Sequence, residues 1–327
     1  MQTRVLGRTG RPVSVVGLGT WQLGADWGAV DDATAFGVLA AAVESGVTLF
    51  DTADVYGDGR SEQTIARFLH AHPGTDVFVA TKMGRRVEQL PEHYVLENFR
   101  AWTDRSRHNL GVDTLDLVQL HCPPTAVYRS DSVFDALDSL VADGRIAHYG
   151  VSVETVEQAL IAIARPHVAS VQIILNAFRH KPLEQVLPAA AAAGVGILAR
   201  VPLASGLLSG RYTRDTTFAA DDHRSFNRHG EAFDVGETFA GVDYDTGVEA
   251  ARQFAALAPD GVTPAQLALR WIIDQPGVST VIPGARTPEQ ARANAAAAAL
   301  PPLGDDLAAA VRELYDTRIR PLVHDRW

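Results

Sequence analysis

The sequence predicts an α/β protein built as a (β/α)8 barrel, or TIM barrel. Eight short runs rich in Val, Ile and Leu recur along the 327 residues, and helical patterns separate them. Strands that are apolar throughout and separated by helices form parallel sheets covered on both faces. Because no change in composition divides the eight units, one closed barrel is favoured over a doubly wound sheet, and one domain is expected over residues 1–327.

The eight candidate strands and their helices alternate along the chain. The strands are residues 15–21, 47–51, 77–81, 115–120, 146–151, 169–174, 196–199 and 279–283. The helical patterns are residues 33–45, 62–70, 92–110, 132–143, 155–164, 183–193, 264–274 and 288–298. Thr263-Pro264 and Thr287-Pro288 each place a capping hydroxyl before a first-turn proline, which marks where the last two helices begin.

Three segments lie outside this repeat. Residues 4–17 alternate around a Thr9-Gly10 turn, which predicts a β-hairpin that closes the bottom of the barrel. A long polar loop, residues 202–245, follows the seventh strand, and loops of this length in a compact domain usually have a function. The C-terminal tail, residues 301–327, is expected to pack on the barrel.

Composition and charge argue against several classes of protein. The formal net charge of −10 argues against a nucleic-acid partner, because phosphates require a basic surface. The sequence contains no charge run typical of a membrane surface, no apolar signal segment and no uninterrupted run of 18 apolar residues. Cys122 is the single cysteine, which excludes internal disulfides and fits a reducing compartment. A cytoplasmic protein is expected; the oligomeric state is not readable from these features.

Two glycine motifs raise the question of a classical dinucleotide-binding site. The segment GVGILA, residues 194–199, matches GxGxxA, but it follows a helix and becomes a strand. The fingerprint requires the opposite context, after a strand and opening a helix. Gly17-Leu18-Gly19 lacks the third glycine, and no GxxxxGK[ST] phosphate loop occurs. A Rossmann site is therefore not expected.

Polar residues mark the ends of three successive candidate strands. In a βα barrel the carboxyl ends of the strands converge on one rim, where catalytic groups lie. Asp51, followed by Tyr56, ends one strand, and Lys82 and His121 follow the next two. Each alone has an ordinary explanation, as a capped turn, a lysine reaching solvent or a core histidine. Together they indicate a catalytic site.

These four side chains suit acid catalysis on a carbonyl group. A free tyrosine has a pKa of about 10, and an adjacent lysine ammonium is expected to lower it by stabilising the phenolate. Asp51 would hold Lys82 charged and oriented, while His121 offers a second donor to a substrate oxygen. Such an acid protonates an oxygen on which negative charge develops, as carbonyl reduction requires. No side chain supplies a hydride, so a cofactor must.

The chain resembles the aldo-keto reductase superfamily over nearly its whole length. The resemblance rests on ordered motifs, namely LGRTGRPVSVVGLGTWQLG, FDTADVYGDGRSE, VATKMG, LDLVQLHCP, YGVS, VQIILN, VPLASGLLSGRY and VIPGARTPEQARAN. It implies a (β/α)8 barrel with NADPH extended across the carboxyl-end rim, and a small-molecule carbonyl substrate. The implied catalytic tetrad is Asp51, Tyr56, Lys82 and His121.

The resemblance also implies a set of cofactor contacts. Those at the nicotinamide are Gly19, Thr20, Trp21, Asp51, Ser152 and Gln172, the last two holding its carboxamide. Those at the pyrophosphate, through backbone amides and hydroxyls, are Leu203, Ser205, Gly206, Leu207 and Ser209. Those at the ribose phosphate and adenine are Gly284, Ala285, Arg286, Gln290 and Asn294. A guanidinium at Arg286 would bind a 2′-phosphate and favour NADPH over NADH, unless it is an ordinary exposed loop arginine.

Two positions depart from the family pattern. Val153 stands where asparagine commonly follows the fifth strand's serine, so one carboxamide contact is missing. Arg200 replaces the common aromatic residue that stacks on the nicotinamide. An unpaired cation there would disfavour the positively charged oxidised cofactor. The hypothesis is that Arg200 instead reaches the pyrophosphate or a substrate anion.

Aromatic residues near the rim are candidates for the substrate pocket. Beside Tyr56 and His121, the candidates are Trp21, Trp27, Tyr128, Phe178 and the segment 202–245, although Trp27 and Tyr128 could equally be surface-loop aromatics. No metal site is expected, because Asp221, Asp222, His223 and His229 match no standard ligand spacing and read as solvated loop residues. Cys122 is expected to be inert, and Asp54 to be a solvated turn residue.

Three functions stay open at this point. The first is an NADPH-dependent reductase of an aldehyde or ketone, either sugar-like or xenobiotic. The second is a cofactor-binding regulatory subunit, as in the channel β-subunits that share this fold, although no docking extension is evident. The third is a biosynthetic ketoreductase for a nucleotide-linked sugar. Fold alone does not decide among them.

Overall fold

An N-terminal hairpin precedes the barrel in the computed structural model, which describes residues 1–24, 30–220, 222–232 and 234–327. Strands β1 (Thr3–Val5) and β2 (Pro12–Ser14) pair antiparallel, with Thr3 opposite Ser14. Leu6 and Val13, both fully buried, pack in one apolar cluster with barrel residues such as Leu49 and Leu117. The hairpin therefore covers the amino-end opening of the barrel, as the sequence predicts.

Eight parallel strands form the barrel. They are β3 (Leu18–Gly19), β4 (Leu49–Asp51), β5 (Phe78–Met83), β6 (Leu115–His121), β7 (Ile146–Ser152), β8 (Ser170–Ile174), β9 (Gly196–Arg200) and β10 (Val278–Val281). Each pairs with the next in chain order. The first and last also meet, because Gly17 N donates to Val281 O at 2.8 Å and Gly19 N to Pro283 O at 3.0 Å. The sheet closes, and the predicted (β/α)8 fold is confirmed.

Helices cover the outside of the barrel. Those between strands are α1 (Asp32–Glu44), α2 (Arg60–Ala71), α3 (Leu96–Leu110), α4 (Thr125–Arg129), α5 (Asp131–Ala142), α6 (Val156–Ile163), α7 (Val186–Ala193), α8 (His223–Phe226), α9 (Tyr244–Ala255) and α10 (Pro264–Ile273). After β10 come α11 (Pro288–Ala296), α12 (Asp305–Leu314) and α13 (Arg320–Val323). The capping signals are confirmed, since Thr263 and Thr287 accept from the amides of Gln266 and Gln290. None of the described helices combines the length and apolarity that a bilayer crossing requires.

The long loop and the tail both pack on the barrel and meet each other, because the Trp327 ring lies against Gly236 and Gly241 of the loop. The loop after β9 forms short 3-10 turns at Ala204–Ser209, Val235–Glu237 and Phe239–Gly241. In the tail, the Tyr315 ring stacks on His180 with centroids 3.9 Å apart, and the Arg179 guanidinium lies 3.7 Å from the centre of the Trp327 ring. The predicted packing of the tail is confirmed, and residues of the long loop line the cavity at the carboxyl-end rim.

Candidate active site

A cavity of about 640 Å³ opens at the carboxyl-end rim of the barrel. Its walls come from the ends of β3, β4 and β6 to β10 and from the long loop after β9. Tyr56 and His121 both line it. The rings of these two residues meet edge to face, with centroids 6.0 Å apart. The predicted tetrad is therefore gathered at one wall of a cavity of ligand size.

Lys82 connects the buried part of this tetrad. It lies at the end of β5, is 1% exposed, and donates from Nζ to Asp51 Oδ1 at 2.5 Å. The same ammonium donates to Thr52 O at 2.9 Å and to Tyr56 OH at 3.4 Å. Because an ammonium has three hydrogens, each now has an acceptor. Burial alone would lower the pKa of Lys82, but Asp51 and Tyr56 reverse this and raise it above its ordinary value.

The pKa of Tyr56 is raised, whereas the sequence argument expected Lys82 to lower it. Burial raises the pKa of the phenol, and the adjacent Lys82 lowers it only in part, so the net direction is upward. The sequence argument considered the lysine but not the depth of the site. Tyr56 is accordingly protonated at neutral pH, which is the state a proton donor needs.

His121 is a neutral imidazole in this site. Burial lowers its pKa far below the ordinary value, and Arg85, Lys82 and Arg200 lower it further. Its Nδ1 is buried and finds no hydrogen-bond partner among the residues described. Since a neutral imidazole has one N–H, the hydrogen is better placed on Nε2, where it can be donated into the cavity.

Two glutamines complete the surroundings of Asp51. Gln172 Nε2 donates to Asp51 Oδ2 at 2.7 Å and to Gln119 Oε1 at 3.3 Å. Gln119 Nε2 also donates to Asp51 Oδ2, at 3.3 Å. Both hydrogens of the Gln172 amide are thus used, so this residue can meet a nicotinamide carboxamide only as an acceptor. Ser152, the other predicted carboxamide contact, lines the cavity beside it.

All the predicted cofactor contacts except Leu207 line this cavity. Leu207 is 1% exposed and packs instead against α9, where a Cβ at Gly247 would meet its side chain. Among the predicted substrate residues, Tyr128 does not line the cavity. It is fully buried, and its hydroxyl donates to Ser152 O at 2.8 Å, so it supports the end of β7 from below.

The other three aromatic candidates for the substrate wall differ from one another. Phe178 is fully buried and also lies away from the cavity. Trp27 falls outside the described residues. Trp21 does line the cavity and stacks on Tyr56, with ring centroids 5.9 Å apart.

The serine hydroxyls of the loop after β9 are not free for phosphate. Ser205 Oγ donates to Glu237 O at 2.6 Å, and Ser209 Oγ donates to Gly206 O at 2.6 Å. The expectation that these hydroxyls donate to a pyrophosphate does not fit this conformation. Arg211, which sequence reasoning missed, lines the cavity nearby, and within the described part of the chain its guanidinium has no hydrogen-bond or ion-pair partner.

The segment after β10 is held by the two residues predicted to lie along the adenine. Gln290 Oε1 accepts from Arg286 N at 2.8 Å, and Asn294 Nδ2 donates to Gly284 O at 3.1 Å. The Arg286 side chain is exposed at the cavity edge, with no ion-pair partner in residues 1–24, 30–220, 222–232 and 234–327. A free guanidinium at this point suits an anionic group on a ligand.

Arg200 forms an ion pair within the protein, which the hypothesis for this residue did not include. Its Nη1 lies 3.0 Å from Glu237 Oε1, and both side chains are 9% exposed. Its Nη2 donates to Val153 O at 3.1 Å. Burial alone would raise the pKa of Glu237, but Arg200 and Arg85 lower it, so the carboxylate is charged. The positive charge of Arg200 is balanced within the protein by Glu237, while a contact of Arg200 with a pyrophosphate or a substrate anion stays a prediction.

Three residues expected to be solvated are buried, namely His223, Asp54 and Asp222, the last of which is 6% exposed. His223 is 1% exposed, its ring centroid lies 5.3 Å from that of Trp21, and burial lowers its pKa to about 4. Asp54 is fully buried, and neither carboxylate oxygen has a hydrogen-bond partner among the described residues. Burial, followed by the nearby Glu62, raises the pKa of Asp54 to about 7. These expectations were wrong because burial in these loops depends on tertiary packing.

Comparison with known proteins gives one consistent result. The model of the aldo/keto reductase family matches residues 15–316. An aldo-keto reductase of Bacillus subtilis is 31% identical over 299 residues, which are 90% of this chain and 87% of the relative. The solved glycerol dehydrogenase of Gluconobacter oxydans superposes with a TM-score of 0.79 at 31% identity, over 97% of this chain and 95% of the other. An aldo-keto reductase of Klebsiella pneumoniae in complex with NADPH gives a TM-score of 0.72 at 25% identity, over 98% and 99%.

Proposed function

The chain belongs to the aldo/keto reductase family and is an NAD(P)H-dependent oxidoreductase; from this premise we propose that it reduces an aldehyde or ketone to an alcohol with NADPH. The observation that carries the proposal is the hydrogen-bonded series Asp51, Lys82 and Tyr56, which ends at a cavity that His121 also lines. A buried acid with a charged neighbour at a ligand-sized cavity is what protonation of a carbonyl oxygen requires.

The residues around the cavity fit an extended dinucleotide. Arg211 and Arg286 place guanidinium groups at two points of its edge, and phosphates bind such groups well. Ser152 and the Oε1 atom of Gln172 would hold the carboxamide at the barrel end. The Klebsiella neighbour in complex with NADPH supports the same cofactor here.

The reaction divides between the cofactor and the tetrad. NADPH held by the residues of the cavity would supply the hydride that the carbonyl carbon requires. Tyr56 gives its phenolic proton to the carbonyl oxygen as negative charge develops there, and Lys82 stabilises the phenolate that remains. His121 donates a hydrogen bond from Nε2 to the same oxygen. Asp51 keeps Lys82 charged and directed at Tyr56, and a proton from solvent restores the phenol before the next turnover.

The test is a panel of aldehydes and ketones in which NADPH consumption is followed by absorbance. Tyr56→Phe removes only the phenolic oxygen and is expected to lower kcat by about 10² to 10⁴. Tyr149→Phe is the matched control, since that hydroxyl donates to Asp138 and does not line the cavity. Turnover of no compound, or equal turnover by Tyr56→Phe, would contradict the proposal.

The same panel separates the other two functions. NADPH binding without turnover of any carbonyl compound would favour a regulatory subunit. Turnover confined to a nucleotide-linked ketosugar would favour a biosynthetic ketoreductase.

A further inference from the structure

Three charged side chains line the cavity next to the catalytic histidine: Arg85, Arg200 and Glu237. Arg85 follows β5 and donates from Nε to the carbonyl oxygen of His121 at 3.2 Å. Arg200 and Glu237 form the buried ion pair described above. Each of these groups also influences a tetrad member, because Arg85 and Arg200 lower the pKa of His121 and Glu237 raises that of Tyr56. This charged wall therefore lies where the remainder of a carbonyl substrate must be placed.

The charged wall has hydrogen-bonding capacity that the protein leaves unused. Arg85 Nη2 lies 3.5 Å from Glu154 Oε1, while its Nη1 has no partner within the described residues. Glu237 gives Oε1 to Arg200, and its Oε2 accepts no hydrogen bond from a described residue. The cavity thus presents one free donor group and one free acceptor group beside the reacting centre.

The net charge of the wall argues against an anionic substrate. The two guanidinium groups of Arg85 and Arg200 are balanced by the carboxylates of Glu154 and Glu237. A carboxylate on the substrate would pair with Arg85 but would also face Glu237, and like charges at short range repel. A neutral group that can both donate and accept matches this wall better.

On the basis of the proposed reductase function, we propose that Arg85 and Glu237 select carbonyl compounds with a hydroxyl group on the carbon next to the carbonyl. Such a hydroxyl can accept from Arg85 Nη1 and donate to Glu237 Oε2, replacing the water that these groups lose. An apolar substrate of the same size would leave Arg85 Nη1 and Glu237 Oε2 desolvated without a hydrogen-bond partner, which is disfavoured. Trp21 offers an apolar face to the carbon chain of either substrate.

A matched pair of substrates tests the proposal. With NADPH saturating, kcat/KM is measured for 2-hydroxypropanal and for propanal, each referred to the concentration of unhydrated aldehyde. The hydroxylated compound is expected to be favoured by at least about 100-fold. Arg85→Met and Glu237→Gln are each expected to reduce this ratio at least about tenfold. Arg100→Met is the control, because Arg100 forms a surface ion pair with Asp143 and should leave the ratio unchanged.

The outcomes distinguish this inference from the proposed function. If no carbonyl compound consumes NADPH, the reductase function itself fails. If propanal is turned over as well as 2-hydroxypropanal, or if Arg85→Met and Glu237→Gln keep the wild-type ratio, the function stands and this inference is overturned. Preference for glyoxylate over 2-hydroxypropanal would also overturn it, in favour of an anion site at Arg85.

Discussion

Two buried ion pairs lie at the same cavity and are built in different ways. Lys82 and Asp51, 2.5 Å apart, come from the ends of the neighbouring strands β5 and β4. Arg200 and Glu237, 3.0 Å apart, join the end of β9 to a turn of the long loop. Neighbouring strands are held about 4.8 Å apart by their hydrogen bonds, so the first pair is positioned by the barrel itself. The second depends on how the loop folds.

The difference assigns separate tasks to the strands and to the loop. In the proposed reaction, the strand-end pair acts on Tyr56 and so on the chemistry, whatever other groups the substrate has. The loop-borne carboxylate is held through its own backbone, since Glu237 O accepts from the Ser205 hydroxyl at 2.6 Å. It lines the cavity, and in our proposal it acts on the selection of the substrate. Catalytic groups on rigid elements with selective groups on loops are the usual arrangement in this fold class.

Breaking the strand-end pair should have the largest effect. Lys82→Met is expected to lower kcat by about 10² to 10⁴, because the phenolate loses its stabilising charge. It should also lower the free energy of unfolding by about 3 to 5 kcal/mol, since Asp51 stays buried without its cation. NADPH consumption and urea unfolding measure the two effects. In the double variant Asp51→Asn with Lys82→Met, stability should largely return while activity does not; recovery of activity would contradict the assigned role.

Arg286 provides a contrast with Arg200, because Arg286 has no carboxylate partner in the described residues. Arg286→Ala is expected to raise KM for NADPH by about 10- to 100-fold, the loss of one charge-assisted contact, and to leave KM for NADH unchanged. Steady-state kinetics with both cofactors measure this. Arg292→Ala, on the exposed face of α11 and paired with Glu44, is the matched control. An equal rise for both cofactors would show that Arg286 does not read the 2′-phosphate.

Removing both charges of the Arg200–Glu237 pair should have a smaller effect than breaking the Lys82–Asp51 pair. Arg200→Met with Glu237→Leu leaves no unpaired buried charge between the two positions, so the fold should persist. The expected result is a kcat for a non-hydroxylated aldehyde within about tenfold of wild type, because the tetrad is intact. A loss as large as that of Lys82→Met would mean that the second pair takes part in the chemistry.

Replacing Asp54 should have the smallest effect of these substitutions. Asp54 contrasts with Asp51, because the Asp51 carboxylate has Lys82 and two glutamine amides as partners. With a pKa raised to about 7 in the folded protein and near 4 when unfolded, Asp54 opposes folding increasingly between about pH 4 and 7. Asp54→Asn should therefore raise Tm by a few degrees at pH 8 and change it little at pH 4. Thermal unfolding across this pH range measures the difference, and a pH-independent shift would contradict it.

Much of this arrangement is predictable from the sequence because it follows from strand order. The positions of Asp51, Lys82 and His121 at successive strand ends need only the apolar runs and the convergence of parallel strands. The strand β3 is shorter than predicted, Leu18–Gly19 in place of 15–21, because the residues before it meet the barrel only through isolated bridges. The membership of the family is confirmed, whereas the division into a single domain stays a prediction.

What the sequence could not predict depends on burial and on contacts across the long loop. The upward pKa of Tyr56 follows from the depth of the cavity, which no local pattern encodes. The pairing of Arg200 with Glu237 joins the end of β9 to an irregular loop, which has no periodicity to indicate which of its side chains turns inward. Asp54 lies two residues from Tyr56 in the same turn, yet it is fully buried, and Glu62 of α2 and Arg105 of α3 are among the charged groups that shift its pKa.

The central claim is that Tyr56 is the proton donor, and a single-turnover experiment tests it most directly. Enzyme with bound NADPH is mixed with excess 2-hydroxypropanal, and the rate constant of NADPH oxidation is compared between wild type and Tyr56→Phe, with the NADPH Kd of each measured by fluorescence. The account predicts a rate constant lower by at least about 100-fold with a Kd within twofold of wild type. An unchanged rate constant at full NADPH occupancy would contradict it.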